Sequence, residues 1–246
     1  MNVLITGCSR GIGKCMLENL INEPLVTKVF ALSSNQQIIF DSEKVVKVHV
    51  DFLSEHWEET LKGAVQDYKL NVIINNAGYL FHGSVEKTSQ EEIHKMYRIN
   101  YYAPLRITQL LLSNIKEGMG HIVNIGSMGG FSGSVKYPGL SVYSSTKSAL
   151  ANLSECWAEE FKDFGITSNC LALGAVNTEM LHSAFPEYEA QVSAEKMADK
   201  IIDFAFNYGE IINGKIIPFS VISSSPLPSV STNVTFGLLK VFRYSS

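Results

Sequence analysis

Short apolar bursts alternate with helix-length amphipathic stretches along the whole of this 246-residue chain. Val3-Leu4-Ile5 opens the pattern, and a helical period from Ile12 to Asn22 follows a glycine turn. Lys28 to Leu32 and Val45 to Val50 read as the next two strands, Trp57 to Tyr68 as a helix, and Val72-Ile73-Ile74 as a fourth strand buried on both faces. Glu91 to Asn114 is long and periodic, and Pro104 inside it predicts one bent helix. Ile122 to Ile125 predicts a fifth strand. Tyr143 to Phe164 predicts a strong helix that Gly165 stops. Ser168 to Ala172, a helix over Glu195 to Asn207, and Lys215 to Phe219 complete the series. Strands that alternate with helices in this way form a parallel sheet flanked by helices.

No internal repeat and no interdomain linker interrupts the pattern, so a single domain over residues 1–225 is expected, with a C-terminal tail over 226–246. Ser220 to Ser231 is rich in serine and proline and reads as a loop. Val234 to Arg243 mixes apolar residues with Lys240 and Arg243; packing on its own domain or disorder is weighed there against contact with a membrane surface or a partner subunit.

Composition narrows the function classes. Hydrophobic residues make up 46% and charged residues 18%, as in ordinary soluble domains. A net charge of -4 argues against nucleic-acid partners, which need a basic face. The four cysteines, Cys8, Cys15, Cys156 and Cys170, form no C-x-x-C pair and read as free thiols of a reducing compartment. With no signal-peptide pattern and no apolar run of membrane-spanning length, a cytoplasmic protein is expected. The six histidines are scattered without ligand spacing, so no metal site is expected.

Tyr143 and Lys147 lie one helical turn apart, with Ser127 upstream at the end of an apolar run. A phenol is a poor acid–base group at neutral pH, since its reference pKa is about 10. A lysine on the same helical face favours the phenolate and is expected to lower that value. A serine hydroxyl nearby can hydrogen-bond a substrate oxygen as charge shifts onto it. At the other end of the chain, Thr6-Gly7-Cys8-Ser9-Arg10-Gly11-Ile12-Gly13 separates the first strand from the first helix. Gly7 permits a tight turn, Gly11 lets backbone approach a pyrophosphate, Gly13 allows close packing, and the helix N-terminus supplies N–H groups and a positive dipole end. The spacing is Gly-x-x-x-Gly-x-Gly rather than G-x-G-x-x-G. Gly7-Cys8-Ser9-Arg10-Gly11 also matches the G-x-S-x-G hydrolase elbow, an alternative that needs a histidine and a carboxylate beside Ser9.

The glycine turn, Asn75-Asn76-Ala77-Gly78 after the fourth strand, Asn100, Ser127 and Tyr143-Ser144-Ser145-Thr146-Lys147 together resemble the short-chain dehydrogenase/reductase family, in order and spacing over roughly residues 1–220. The resemblance implies a single Rossmann-like, doubly wound α/β domain with a seven-stranded parallel sheet and a nicotinamide cofactor. It implies Tyr143 as proton donor or acceptor, Ser127 as the hydroxyl that polarises the carbonyl, Lys147 as the residue that holds the nicotinamide ribose and lowers the tyrosine pKa, and Asn100 as the anchor of a relay water. Gly7, Ser9, Arg10, Gly11, Ile12 and Gly13 would hold the dinucleotide, with Asn76, Ala77 and Gly78 beside the adenosine ribose, Asp51 and Phe52 at the adenine, and Gly174 and Thr178 at the nicotinamide end. Asn75 reads as mainly structural. Leu173 stands where the family usually has proline. Ser127 lies sixteen positions before Tyr143, more than the family's usual spacing, so Phe131 to Leu140 is expected to bulge, with Ser132 and Ser134 as alternatives to Ser127.

The second strand ends Ala31-Leu32-Ser33-Ser34-Asn35, without the acid that would accept a bond from a ribose 2′-hydroxyl. Arg10 stands where NADP-preferring members of the family carry a basic residue, and Ser33 and Ser34 can donate to a 2′-phosphate, so NADP is expected over NAD. The loop from Glu179 to Val192, with Met180, Leu181, His182, Phe185, Pro186 and Tyr188, is expected to lie over a small or medium apolar carbonyl or alcohol substrate, with Tyr79, Leu80, Phe81 and His82 on the other wall. A homo-oligomer, dimer or tetramer, is implied through the helices of Ala103 to Lys116 and Tyr143 to Phe164. A cofactor-binding regulatory protein and a non-redox epimerase or dehydratase on the same fold stand as alternatives.

Overall fold

The computed structural model describes residues 1–34 and 38–220; Asn35 and the tail expected over 226–246, with Lys240 and Arg243, lie outside the described residues. Seven strands form one sheet: β1 (Asn2–Thr6), β2 (Lys28–Ser33), β3 (Val45–His49), β4 (Val72–Asn75), β5 (His121–Ser127), β6 (Thr167–Leu173) and β7 (Ile216–Phe219). Their spatial order is β3-β2-β1-β4-β5-β6-β7, and every pairing is parallel. The order reverses between β1 and β4, so the loops leaving these two strands diverge and open a crevice at their C-terminal ends.

Because both faces of the sheet are covered, alternate residues of one strand enter opposite cores. Val3 and Ile5 of β1 pack with Met16, Leu17 and Leu20 of α1 (Gly11–Asn22) and with Ala198 and Ile201 of α8 (Ala194–Asn207). Leu4 faces the other way, toward Trp57 and Leu61 of α2 (Trp57–Val65), Ile107 of α4 (Ala103–Leu110) and Trp157 of α6 (Ser141–Glu160). A buried leucine or isoleucine side chain contributes roughly 1.5–3 kcal/mol, so this two-sided division fixes the strand register strongly.

The stretch expected to be one bent helix is α3 (Gln90–Tyr97), a π turn over Arg98–Tyr102, α4, and then α5 (Leu112–Gly118). Pro104 sits in the first turn of α4 and has no N–H to give the carbonyl four residues back, that of Asn100. The departure from regular α-helix therefore falls on the turn that holds Asn100, a catalytic candidate, rather than on the proline. Another correction concerns Glu179 to Val192, expected as a loop: Glu179–Ala184 forms a short helix, α7, capped by the Thr178 hydroxyl, which accepts from Leu181 N. After α6 comes a 3-10 turn over Lys162–Phe164, and Gly165 (φ 69°) ends it in the left-handed region, as its sequence position predicts.

Candidate active site

β5 carries the first catalytic candidate to the crevice. Ser127 ends the strand, and a 3-10 turn over Met128–Gly130 folds back onto α6. Gly130 makes that docking possible: a β-carbon there would lie 2.7 Å from the backbone at Lys147 and Ser148. Ser148 donates to the Gly130 carbonyl at 2.7 Å and closes the joint. The residues that set the unusual Ser–Tyr spacing form a compact knot at the same lip. Lys136 Nζ donates to the Gly129 and Phe131 carbonyls, both at 2.7 Å, and Ser134 donates to the Met128 and Phe131 carbonyls. Ser134 is thereby committed, Ser132 is exposed, and Ser127 is the serine that hydrogen-bonds the Tyr143 phenol.

Burial pushes the Tyr143 pKa up to about 12, and the Ser127 hydrogen bond pulls only partly in the other direction. The expected lowering by Lys147 is not what this site shows. Lys147 Nζ lies 6.0 Å from the Tyr143 ring centroid and donates to the Ile125 carbonyl at 2.7 Å. Burial also lowers its own pKa to about 8, so it remains mainly protonated at neutral pH but with its charge directed at the Ile125 carbonyl rather than at the phenol. The phenol holds its proton firmly at neutral pH.

Asn100 is wholly buried within the π turn. Its Oδ1 accepts from Tyr79 N at 2.7 Å, and its Nδ2 donates to the Tyr79 carbonyl at 2.8 Å and to Thr146 Oγ1 at 3.0 Å. Thr146 donates in turn to the Tyr143 carbonyl at 2.7 Å. The amide thus locks the segment after β4 to the turn of α6 that carries Tyr143.

The glycine turn is held from below. Thr6 Oγ1 accepts from Asn76 N at 3.0 Å and Ala77 N at 2.8 Å, while Asn76 Nδ2 donates to the Thr6 carbonyl at 2.9 Å. Gly7 N and Cys8 N both donate to the Leu32 carbonyl. Gly13 packs so closely that a β-carbon would stand 2.0 Å from the Gly7 oxygen. Asn76 and Ala77 therefore brace the turn. Gly78 opens on a space bounded by Asn100 Oδ1 and Lys147 Nζ, each 3.6 Å from where its β-carbon would be.

Across the crevice, Thr178 stands 3.5 Å from the corresponding point of Gly11, so the start of α7 faces the N-terminus of α1. A polar cleft with free helix-N-terminal N–H groups at one end and Asn100 with Lys147 at the other fits a dinucleotide. Arg10 is exposed at the N-cap of α1, Ser9 is half-buried, and the partly buried Ile12 packs against the sheet core. Ser33 is buried and Ser34 exposed at the end of β2. Asp51 accepts from Leu53 N at 3.0 Å, and Phe52 lies edge-on to Trp57, with its carbonyl held by Arg98 Nε at 3.1 Å. Gly174 directly follows β6 at its C-terminal end. Its N–H donates to the Phe219 carbonyl and a β-carbon there would meet Ser220 at 2.6 Å, so this glycine serves the β6–β7 edge.

Two hydroxyls escaped the sequence reading. Thr6 and Thr146 both lie inside the motifs quoted above, and the signal was present: a polar residue beside a buried strand end or beneath the turn that carries Tyr143 needs a partner. The buried chain Asn75 Nδ2 to Asn124 Oδ1 (2.7 Å) and Asn124 Nδ2 to Ser154 Oγ (2.9 Å) joins β4, β5 and α6, and gives Asn75 its structural role.

Comparison with known proteins converges on the same reading. The sequence model of the short chain dehydrogenases matches residues 1–189. An uncharacterized oxidoreductase of Thermotoga maritima is 30% identical over 196 residues, covering 73% of each chain. A diacetyl reductase [(S)-acetoin forming] of Staphylococcus epidermidis is 29% identical over 189 residues, covering 72% of each. Among solved structures, ElxO with NADP bound superposes with a TM-score of 0.75 at 27% identity, over 89% of this chain and 96% of that one. A 4-hydroxyisoleucine dehydrogenase mutant complexed with NADH and succinate shares the fold, with a TM-score of 0.79 at 20% identity over 89% and 97%. With its parallel doubly wound sheet, its glycine turn and its Ser–Tyr–Lys corner, this chain belongs to the short-chain dehydrogenase/reductase family and is an NAD(P)-dependent oxidoreductase.

Proposed function

We propose that the protein is an NADP(H)-dependent reductase that interconverts a small or medium apolar carbonyl compound and its alcohol, with Tyr143 as general acid and base. The observation that carries this reading is the half-buried phenol, paired with Ser127 and raised to about 12, which keeps a proton available for a carbonyl oxygen at neutral pH. Ser127 orients that oxygen and donates to it as negative charge develops there. Asn100, through Thr146, holds the turn of α6 on which Tyr143 sits. A nicotinamide dinucleotide, bound along the crevice between Gly11 and Gly78, supplies or accepts the hydride.

The 2′-phosphate form is favoured by charge. Arg10 is the exposed cation at the glycine turn, and the described end of β2 carries Ser33 and Ser34 without an acid. Four unpaired thiols support a reducing, cytoplasmic setting, and a homo-oligomer through α4 and α6 accompanies the proposal. Residues 1–225 would act as one catalytic domain.

Dinucleotide binding by fluorescence, followed by absorbance at the reduced-nicotinamide band with a panel of ketones and aldehydes, tests the reading. NADPH should be consumed, and more readily than NADH. Binding without consumption would favour a regulatory or non-redox role, and affinity for neither dinucleotide would contradict the proposal.

A further inference from the structure

We propose that His82 is a positioning residue that latches the substrate-covering segment over the Tyr143 site, a role that rests on the carbonyl-reductase reading for its kinetic consequences but not for its geometry. The segment from Thr178 to Val192 leaves and rejoins the domain at a single point. Asn177 and Ser193 form an isolated parallel bridge, and Asn177 N donates to the Val192 carbonyl at 2.8 Å. Within this closed excursion, His182 Nε2 lies 2.6 Å from Asn177 Oδ1 and steadies α7 near its base. The far end is held by a ring. Phe185, immediately after α7, packs on His82 with ring centroids 4.7 Å apart at an interplanar angle of 46°.

His82 is itself anchored to the third loop that borders the crevice. Its Nε2 lies 3.3 Å from the Pro138 carbonyl, which can only accept, so that nitrogen carries the proton. The neighbouring Gly83 N donates to the Gly139 carbonyl at 3.0 Å. Gly139 has φ 81° and a β-carbon there would approach His82 Cδ2 and Nε2 to 2.6 Å, so glycine is what allows the ring to settle against this loop. One exposed side chain thus joins the loops after β4, β5 and β6 on the rim through which a substrate reaches Tyr143. A segment pinned at its base and held toward its tip by an aromatic pair loosens when that pair is lost.

Hydrogen exchange on the full chain, with His82→Ala and His82→Phe beside the parent, tests the latch. In His82→Ala, amides over 180–188 should exchange about three- to tenfold faster, while those of β5 and α8 keep their rates, since a ring pair is a modest local interaction. His82→Phe keeps the ring contact and should restore protection. The Michaelis constant for a carbonyl substrate should rise by a similar factor in His82→Ala and recover in His82→Phe, with NADPH affinity unaltered. Unchanged exchange over 180–188, or an acceleration spread across β5 and α8, would overturn the latch. If the parent shows no carbonyl turnover, the reductase reading fails while the exchange comparison still decides the latch.

Discussion

The two ends of strand β5 bury titratable side chains by the same physics and to opposite effect. At its start, His121 is drawn down to a pKa of about 4 by loss of solvent. At its end, Lys147 packs over Ile125 and falls to about 8 for the same reason. The difference lies in their partners. His121 Nδ1 lies 3.0 Å from the Ala205 carbonyl and its Nε2 lies 3.0 Å from Asn169 Nδ2, so both nitrogens of a neutral ring are satisfied. Asn169 also donates to the Ile212 carbonyl and accepts from Lys215 N, which ties α8 and β7 to this hub. Among the described residues Lys147 makes one hydrogen bond with three donors available, and its remaining reach is toward Gly78 and the crevice. A buried group with its bonds completed holds the fold together. One left incomplete at a cleft marks a place for a ligand.

Substitution at each end should therefore separate activity from stability. Lys147→Met is expected to reduce turnover by about a hundredfold or more, with a melting temperature at or above that of the parent. The fall from 10.5 to about 8 corresponds to about 3 kcal/mol against the buried charge at neutral pH, which offsets the lost bond to Ile125. A collapse of stability with activity retained would reverse the roles assigned to the two ends.

His121→Leu should do the opposite, at a cost of about 2–3 kcal/mol in unfolding free energy for the stranded partners and with turnover per folded molecule preserved. The parent's acid response follows from the same ring. Its folded pKa lies below the ordinary value of 6.5, so the stability it contributes is complete above that pH and is lost as pH falls through about 4. Urea titrations between these limits should show a slope that His121→Leu flattens.

The helical and strand layout was legible because short continuous apolar runs, buried on both faces of the sheet, alternate with stretches of helical period along this chain. The motifs around Gly7, Asn76, Ser127 and Tyr143 were legible for a different reason: each sits at a strand end or helix turn that the layout places beside one crevice. Three features were not. The segment around Asn100 is a π turn, and a π turn has no local composition signal beyond the proline after it. The direction of the Tyr143 shift depends on burial and on a 6.0 Å separation that the i, i+4 spacing does not fix. Gly174 matches a family position but spends its lack of a side chain on Ser220, a tertiary neighbour 46 residues away in sequence.

The smallest effect expected concerns cofactor choice. Arg10→Ala should weaken NADPH binding by about tenfold at low salt and leave NADH nearly unaffected, because an exposed charge acts on the 2′-phosphate through screened attraction. Isothermal titration with both dinucleotides checks it. An equal loss for both would assign Arg10 to the shared pyrophosphate.

Tyr143→Phe, measured under saturating NADPH with a carbonyl substrate that the parent reduces, bears most directly on the account. Removing one oxygen from a phenol held by Ser127 should lower the rate at least a thousandfold, with dinucleotide affinity and melting temperature near those of the parent. Turnover equal to the parent's would show that the proton comes from elsewhere.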